Sequence, residues 1–240
     1  MKTAVAVVGA TGKIGSLICR LVEAADDFEL VARLDSRSDL AEVLAADVVV
    51  DVSLPAVSKQ VIEYAVTNGK SVMVGTSGWS RERIAKLEPL IAEHPEQAVV
   101  FIANFSLGSA LATHLATLAA QHYDSIEIIE THGVRKVDSP SGTAVNTAER
   151  VAAVRGDDVQ APHADQRARG QLVAGVPVHS LRMEGVVAKQ DVIFGGDGES
   201  IVISHTTSSD RSYEAGILAA LRHAVKTTGL TVGLHNVISL

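Results

Sequence analysis

The sequence TAVAVVGATGKIG, residues 3–15, determines the fold class of this 240-residue chain. Its apolar start is typical of a strand that is buried on both faces of a parallel sheet. Glycines follow at Gly9, Gly12 and Gly15, and helical periodicity begins at Ser16. A strand, a tight turn and a helix in this order direct backbone N–H groups at a pyrophosphate. The stretch therefore predicts a dinucleotide-binding site, the alternative being a glycine-rich structural turn.

A second apolar run strengthens the nucleotide interpretation. Residues 28–34 lead into Asp35, which follows Gly15 by about twenty positions. An acid at that distance can accept hydrogen bonds from the adenosine ribose hydroxyls. Arg33 and Arg37 flank Asp35, and they are either partners for a 2′-phosphate or solvated surface charges. The pattern admits NADH and NADPH alike.

Strand and helix patterns alternate as far as residue 106. After the first two strands, further strands are expected at 47–53, 71–74 and 98–103, with helices from Pro55 to Asn68 and over 81–92. Five strand-then-helix units predict an α/β fold with a Rossmann-type, doubly wound parallel sheet. Ligands of such sheets bind beyond the carboxyl ends of the strands. Gly75-Thr76-Ser77 and Ala103-Asn104-Phe105 follow two strands, so we expect them at the nicotinamide half rather than in ordinary turns.

The rest of the chain has a different pattern. Helices are expected over 107–123, 143–154 and 213–228, a strand over 125–132, a polar loop over 156–170, and long β-type runs over 172–206. The Gly-Gly-Asp-Gly turn at 195–198 is a hairpin signal. These features predict a second α+β domain with a mixed or antiparallel sheet. We place the dinucleotide-binding domain at 1–106 with 214–240, and the second domain at 107–213.

Composition excludes several classes of protein. The net charge of −7 argues against a nucleic-acid-binding protein, which needs a basic face. The apolar N-terminal run is too short for a targeting signal, and no apolar segment reaches the roughly 18 residues of a membrane span. The single Cys19 excludes a disulfide framework and fits a reducing compartment. No motif predicts a metal site.

The stretch EIIETHGVRKVDSPSGTA, residues 127–144, contains the candidate chemistry. The N–H groups that begin the following helix, with the hydroxyls of Ser141 and Thr143, predict an anion site. Lys136 supplies a charge and a proton donor, and His132 can orient a ligand, shuttle a proton or bind an anion. The combination suits an acidic substrate that accepts hydride at carbon. The alternative is an exposed His and Lys before an ordinary capped helix.

The same stretch resembles the signature of the 4-hydroxy-tetrahydrodipicolinate reductase (dihydrodipicolinate reductase) family of bacterial diaminopimelate and lysine synthesis. The resemblance covers nearly the whole chain, and the short length is similar to that of actinobacterial members. The motifs that carry it outside this stretch are VVGATGKIG, DVSLP, GTSG, ANFSLG, DRSYEAG and GLTVGL.

The resemblance implies a role for each matching residue. His132 and Lys136 correspond to the catalytic acid/base candidate and to the proton donor, and Ser141-Gly142-Thr143 to the residues that hold a substrate carboxylate. The implied nucleotide contacts are Gly9, Ala10, Thr11, Gly12, Lys13, Ile14, Asp35, Gly75, Thr76, Ser77, Ile102, Ala103, Asn104 and Phe105. It further implies reduction of a small dicarboxylate by NADH or NADPH with loss of water. Members are usually cytoplasmic homotetramers whose substrate-domain sheets associate, so 107–213 would also be the oligomerisation domain.

Two positions depart from the family pattern. Gly133 stands where the family has a second His that contacts a substrate carboxylate, and Ser139 where Ala is usual. Losing one charge-assisted hydrogen bond costs about 1.5–3 kcal/mol unless Arg135 or a water replaces it. One alternative is therefore a diverged paralogue that reduces a different cyclic imine or unsaturated acid. A non-catalytic nucleotide-binding sensor is the other, but a sensor would need neither His132 nor Lys136.

Overall fold

The computed structural model describes residues 2–240, which form two compact units. One unit comprises the chain up to Leu107 together with Tyr213–Leu240, and the other comprises Gly108–Ser212. The elements in chain order are β1 (Thr3–Val8), α1 (Lys13–Ala24), β2 (Phe28–Leu34), β3 (Val48–Asp51), α2 (Pro55–Thr67), β4 (Ser71–Val74), α3 (Arg81–Ala85), α4 (Glu88–Glu93), β5 (Ala98–Phe101), α5 (Leu107–Ala119), β6 (Ser125–His132), α6 (Gly142–Ala153), β7 (Gln171–Val173), β8 (Val176–Arg182), β9 (Ala188–Gly196), β10 (Glu199–Thr207), α7 (Glu214–Lys226), β11 (Gly229–Val232) and α8 (Leu234–Val237).

The first unit contains a parallel sheet of six strands in the order β11-β5-β4-β3-β1-β2. Strands β3, β4 and β5 are short and apolar, and nearly all of their residues are buried, as a sheet covered on both faces requires. The order reverses at β1, whose neighbours are β2 and β3. This arrangement confirms the predicted Rossmann-type sheet.

Three details of the first unit differ from the sequence-based prediction. The sheet has a sixth strand, β11, which lies at the edge beside β5. The sequence did not predict it because a strand of four residues carries little periodic signal. The helix expected over 81–92 is two helices, α3 and α4, since Pro89 fits the first turn of a helix but not its interior. Between β2 and β3 the chain forms a 3₁₀ helix, Leu40–Ala45, which periodicity did not indicate.

The second unit contains a five-stranded sheet in the order β10-β9-β6-β8-β7. Only the β6–β8 pairing is parallel, so the sheet is mixed and largely antiparallel, as predicted. The β9–β10 hairpin turns at Gly198, whose positive φ of 78° explains the glycine. Ile126, Ile128 and Glu130 are buried along β6, and the two isoleucines pack in one core with α6.

Two bulk features complete the fold. The thiol of Cys19 is free and buried in the apolar face of α1. No helix among residues 2–240 combines the length and the apolar character that crossing a bilayer requires.

Candidate active site

The glycine turn of the first unit is built for close backbone approach. Gly9 has a φ of +89°, and a Cβ there would lie 2.5 Å from the carbonyl oxygen of Val52. A Cβ on Gly15 would lie 2.1 Å from the carbonyl oxygen of Gly9, so α1 packs directly on the turn. Side chains at either position would displace backbone, and α1 begins at Lys13 with its N-terminus at this turn. The turn therefore fits a pyrophosphate at a helix N-terminus.

Asp35 follows β2 and organises a small turn. Its carboxylate accepts hydrogen bonds from the backbone N–H of Arg37 at 2.8 Å and from the Ser38 hydroxyl at 3.4 Å. The guanidinium of Arg33 is bonded to Glu23, whereas the Arg37 side chain is exposed. Arg37 is thus the better placed of the two arginines to meet an anion beside Asp35.

The carboxyl ends of β3 and β4 are joined by a buried acid, Asp51. Its carboxylate accepts from the hydroxyls of Ser53 at 2.5 Å and Thr76 at 3.0 Å, and also from Ser58. Trp79 donates its indole N–H to the Ser58 hydroxyl at 3.0 Å and packs on Phe101. Because its hydroxyl faces Asp51, Thr76 shapes this strand end from inside.

The two predicted strand-end segments are brought together by packing. A Cβ on Gly75 would lie 2.8 Å from the ring of Phe105, so the aromatic ring occupies the space that a side chain would need. Ile102 and Phe105 are buried, whereas Ser77 and Ala103 are exposed. The side chains of Ser77 and Ala103 are therefore accessible to a ligand. Ile102 and Phe105 could contact a ligand only through their backbone or support the site by packing.

His132 ends β6 and shares a face of that strand with Glu130. Its Nδ1 lies 2.5 Å from Glu130 Oε2, and its side chain is 17% exposed. Glu130 is fully buried. The spacing of two residues along a strand places both side chains on the same face.

Arg182, at the end of β8, binds the same carboxylate. Its Nη2 lies 2.9 Å from Glu130 Oε1, and its Nη1 lies 3.1 Å from Oε2. The backbone N–H of Ser141 donates to Glu130 Oε1 at 3.2 Å. Burial by itself would raise the pKa of Glu130, but hydrogen bonds from Arg182, Ser180 and His132 outweigh burial and hold that pKa below its usual value.

Lys136 lies in the loop between β6 and α6. Its Nζ lies 2.8 Å from Asp138 Oδ1, and its backbone N–H donates to the carbonyl oxygen of Gly133. The hydrogen bond and the charge of Lys136 lower the pKa of Asp138 below its ordinary value, so the carboxylate stays ionised to a more acidic pH than a free aspartate. Arg182 donates to the carbonyl oxygen of Asp138 at 2.7 Å, and this bond fixes the loop to the end of β8.

The N-terminus of α6 is capped and accessible. Ser141 is the N-cap, and its hydroxyl accepts from the N–H of Ala144 at 3.3 Å. Gly142 is exposed, and a Cβ there would meet nothing within 4 Å. Thr143 is partly exposed in the first turn. Packing within the chain therefore does not require glycine at 142, and the first turn of α6 is open at this position.

The structure adds residues that the sequence interpretation did not assign. Glu130, Asp138 and Arg182 link His132, Lys136 and Ser141 into one network. The Glu-x-His spacing on a predicted strand was a usable signal for Glu130. Nothing in the sequence places Arg182 there, because the β6–β8 pairing that aligns it with His132 joins segments 50 residues apart.

The fold and these residues define the class of protein. A parallel sheet with a glycine turn at a helix N-terminus, and a second unit with a His, a Lys and an open anion site, define a nicotinamide-dependent oxidoreductase. Within residues 2–240, no group of three or more His, Cys, Asp or Glu is placed to hold a metal ion.

Comparison with known proteins identifies the family. The profile of the dihydrodipicolinate reductase N-terminus matches residues 3–105, and that of the C-terminus matches residues 107–238. Proteins named 4-hydroxy-tetrahydrodipicolinate reductase include one from Clavibacter sepedonicus, 60% identical over all of this chain and 87% of its own length. Another, from Streptomyces griseus, is 42% identical over all of this chain and 99% of its own length. The chain belongs to the dihydrodipicolinate reductase family.

Solved structures agree with this assignment. The dipicolinate-bound dihydrodipicolinate reductase from Paenisporosarcina sp. TG-14 is 28% identical, with a TM-score of 0.85 over 98% of this chain and 99% of that one. GenD2 from gentamicin A biosynthesis, solved with NAD, shares the fold at 12% identity, with a TM-score of 0.67 over 99% of this chain and 90% of that one.

Proposed function

We propose that the chain reduces 4-hydroxy-tetrahydrodipicolinate to tetrahydrodipicolinate with NADH or NADPH. One substrate, one reduced cofactor and one proton give one product, one oxidised cofactor and one water. The observation that carries the proposal is the N-terminus of α6, where Gly142 is open to a ligand beside the loop that holds the Lys136 ammonium. A ring dicarboxylate with a nitrogen has the charges that such a site binds.

Each residue of the second unit has a role in this proposal. Ser141, Gly142 and Thr143 bind a substrate carboxylate with backbone N–H groups and hydroxyls at the helix N-terminus. Lys136 donates the proton that balances hydride addition, and His132 acts as an acid/base group. The link from Lys136 to Asp138 holds the ammonium while the substrate is absent.

The first unit is proposed to bind the cofactor, whose nicotinamide supplies the hydride. Gly9 to Ile14 hold the pyrophosphate, and Asp35 binds the adenosine ribose. Arg37 allows a 2′-phosphate beside Asp35, so both NADH and NADPH are accepted. The remaining proposed contacts, toward the nicotinamide half, are Gly75, Thr76, Ser77, Ile102, Ala103, Asn104 and Phe105.

We also propose a cytoplasmic homotetramer. Leu172, Leu181 and Val202 are exposed on strands of the second sheet. Their positions alternate with the residues that pack on α6, so they share the opposite face. Association of these faces would bury them, and sedimentation of the purified protein would measure the assembly.

The test of the proposed activity is a coupled assay. The preceding synthase generates the substrate in the cuvette while oxidation of NADH or NADPH is followed. The proposal predicts synthase-dependent oxidation that ceases when the synthase is omitted. Oxidation no faster than the enzyme-free background would refute it.

A second candidate function rests on Gly133. A Cβ there would lie 3.1 Å from the carbonyl oxygen of Val186, which is close enough to require a small shift but not to forbid a side chain. The family His is therefore missing for no packing reason that would demand glycine. The missing side chain favours a paralogue whose acidic substrate has one fewer carboxylate oxygen that the protein must bind. Such a paralogue would reduce another cyclic imine and leave the synthase product untouched, and Gly133→His would not improve it.

A further inference from the structure

The carboxylate of Glu130 is the most deeply buried charge near the proposed substrate site. Its side chain is 1% exposed, and it lies at the end of β6 on the face that packs against α6. A buried ionised carboxylate is costly unless donors satisfy both of its oxygens. The hydrogen-bond donors around Glu130 therefore indicate the role of its carboxylate.

The hydrogen bond to His132 fixes the state of the imidazole. An ionised carboxylate only accepts hydrogen bonds, so Nδ1 of His132 must carry the proton that it shares with Glu130 Oε2 at 2.5 Å. In the neutral ring, Nε2 is then the free basic nitrogen. The only ring nitrogen left to exchange a proton with a substrate is Nε2.

Arg182 determines how the carboxylate acts on this ring. Its guanidinium binds both oxygens of Glu130, at 2.9 and 3.1 Å, so the pair carries no net charge. A neutral pair orients the imidazole through a directed hydrogen bond more than through its field. A second ion pair, Lys136 with Asp138, is linked to this one, because Arg182 donates to the backbone carbonyl oxygen of Asp138.

The same carboxylate also reaches the proposed anion site. Glu130 Oε1 accepts from the backbone N–H of Ser141, the N-cap of α6. Oε2 of Glu130 thus contacts the imidazole, and Oε1 contacts the N-terminus of the helix that begins at Gly142. His132 and the start of α6 are held in one register by one side chain.

We propose that Glu130 is a positioning residue, which holds His132 in its Nδ1–H tautomer and fixes that ring relative to the N-terminus of α6, with Arg182 as its neutralising partner. The inference deepens the proposed reductase function and rests on it for the role of His132. The tautomer of His132 can be measured whether or not the protein turns over the substrate.

The tautomer is tested in the wild-type protein by long-range ¹H–¹⁵N spectra of ¹⁵N-histidine-labelled enzyme, with His132→Asn for assignment. At a pH where the ring is neutral, we expect a protonated Nδ1 and an unprotonated Nε2. A protonated Nε2 overturns the proposal even if the enzyme turns over. An Nδ1–H ring in a protein without turnover would instead refute the proposed function and leave the tautomer assignment standing.

The kinetic test is a double-mutant cycle. Glu130→Gln should lower kcat by about 100-fold, the scale of a misplaced acid/base group, and leave the KM for NADH within about twofold. In the His132→Asn background the same change should lower kcat by less than about threefold, because the imidazole that Glu130 positions is gone. Equal losses in both backgrounds would show a merely structural role and overturn the proposal.

Glu127 provides a matched control. It lies on the same strand but on the opposite face, and it also binds a histidine and an arginine, His179 at 2.6 Å and Arg169. Glu127→Gln should keep kcat within about threefold of wild type in either background. If Glu127→Gln lowered kcat as much as Glu130→Gln in a tetramer of unchanged size, the proposal would also be overturned. The effect would then not depend on the contact between Glu130 and His132.

Discussion

The ammonium of Lys136 and the carboxylate of Asp138 form an ion pair of 2.8 Å within one loop. The hydrogen bond from Lys136 lowers the pKa of the Asp138 carboxyl below its ordinary value, and Arg182 fixes the backbone of Asp138. The pair therefore holds the amine of the proposed proton donor in place, six residues before α6 begins at Gly142. A substrate carboxylate that arrives at α6 meets a cation whose position is already set.

Replacing Lys136 with Ala should remove the proton donor without disturbing the first unit. We expect kcat to fall by about 100-fold or more, while the KM for NADH changes by less than about twofold. Lys189→Ala is the matched control, since Lys189 forms a similar pair with Asp191 at 2.7 Å. Steady-state kinetics decide the matter, and an equal loss of kcat and of cofactor binding would mean that Lys136 is structural.

Gly142→Ala tests the anion site at the start of α6. A methyl group there meets nothing in the protein, so the melting temperature should not fall. If a substrate carboxylate lies against this turn, overpacking should raise the KM for the synthase-generated substrate by about tenfold or more in the coupled assay. Gly156→Ala, also open within 4 Å, should change neither quantity. An unaltered KM in Gly142→Ala would place the carboxylate elsewhere.

Arg37→Ala separates the two cofactors. Its exposed guanidinium lies on the turn that Asp35 organises, where a 2′-phosphate would sit. Removing one charge-assisted contact should raise the KM for NADPH about tenfold or more and leave that for NADH nearly unchanged. Arg33→Ala should affect both cofactors little, because Arg33 is held by Glu23. Equal effects of Arg37→Ala on the two cofactors would refute the assignment.

Glu130 should make stability depend on pH. Its folded-state pKa lies below the ordinary value of 4.5, so its interactions stabilise the fold fully above that value. This contribution is lost as the pH falls through the lower, folded-state pKa. Wild type should therefore exceed Glu130→Gln in melting temperature at pH 7, and the gap should narrow below about pH 4. A gap that widens on acidification would contradict the lowered pKa.

The sequence predicted the first sheet well because buried parallel strands are continuous apolar runs, and because Gly9 and Gly15 mark a turn that no side chain can enter. It missed β11, because a short edge strand has no periodicity of its own, and it predicted one helix over 81–92 where Pro89 begins a second one. At the site, the sequence mainly failed to predict contacts between residues that are far apart along the chain. Glu130 was visible as a strand neighbour of His132, but Arg182 reaches it through strand pairing that local pattern does not encode.

The most direct test of the central claim is the fate of the transferred hydrogen. NADH deuterated at the transferring position would be supplied with synthase-generated substrate, and the product acid would be analysed by mass spectrometry. Hydride transfer to the ring predicts tetrahydrodipicolinate carrying one deuterium for each cofactor oxidised, and no such product with Lys136→Ala on the same timescale. Cofactor oxidation without deuterium in tetrahydrodipicolinate would contradict the proposed reaction.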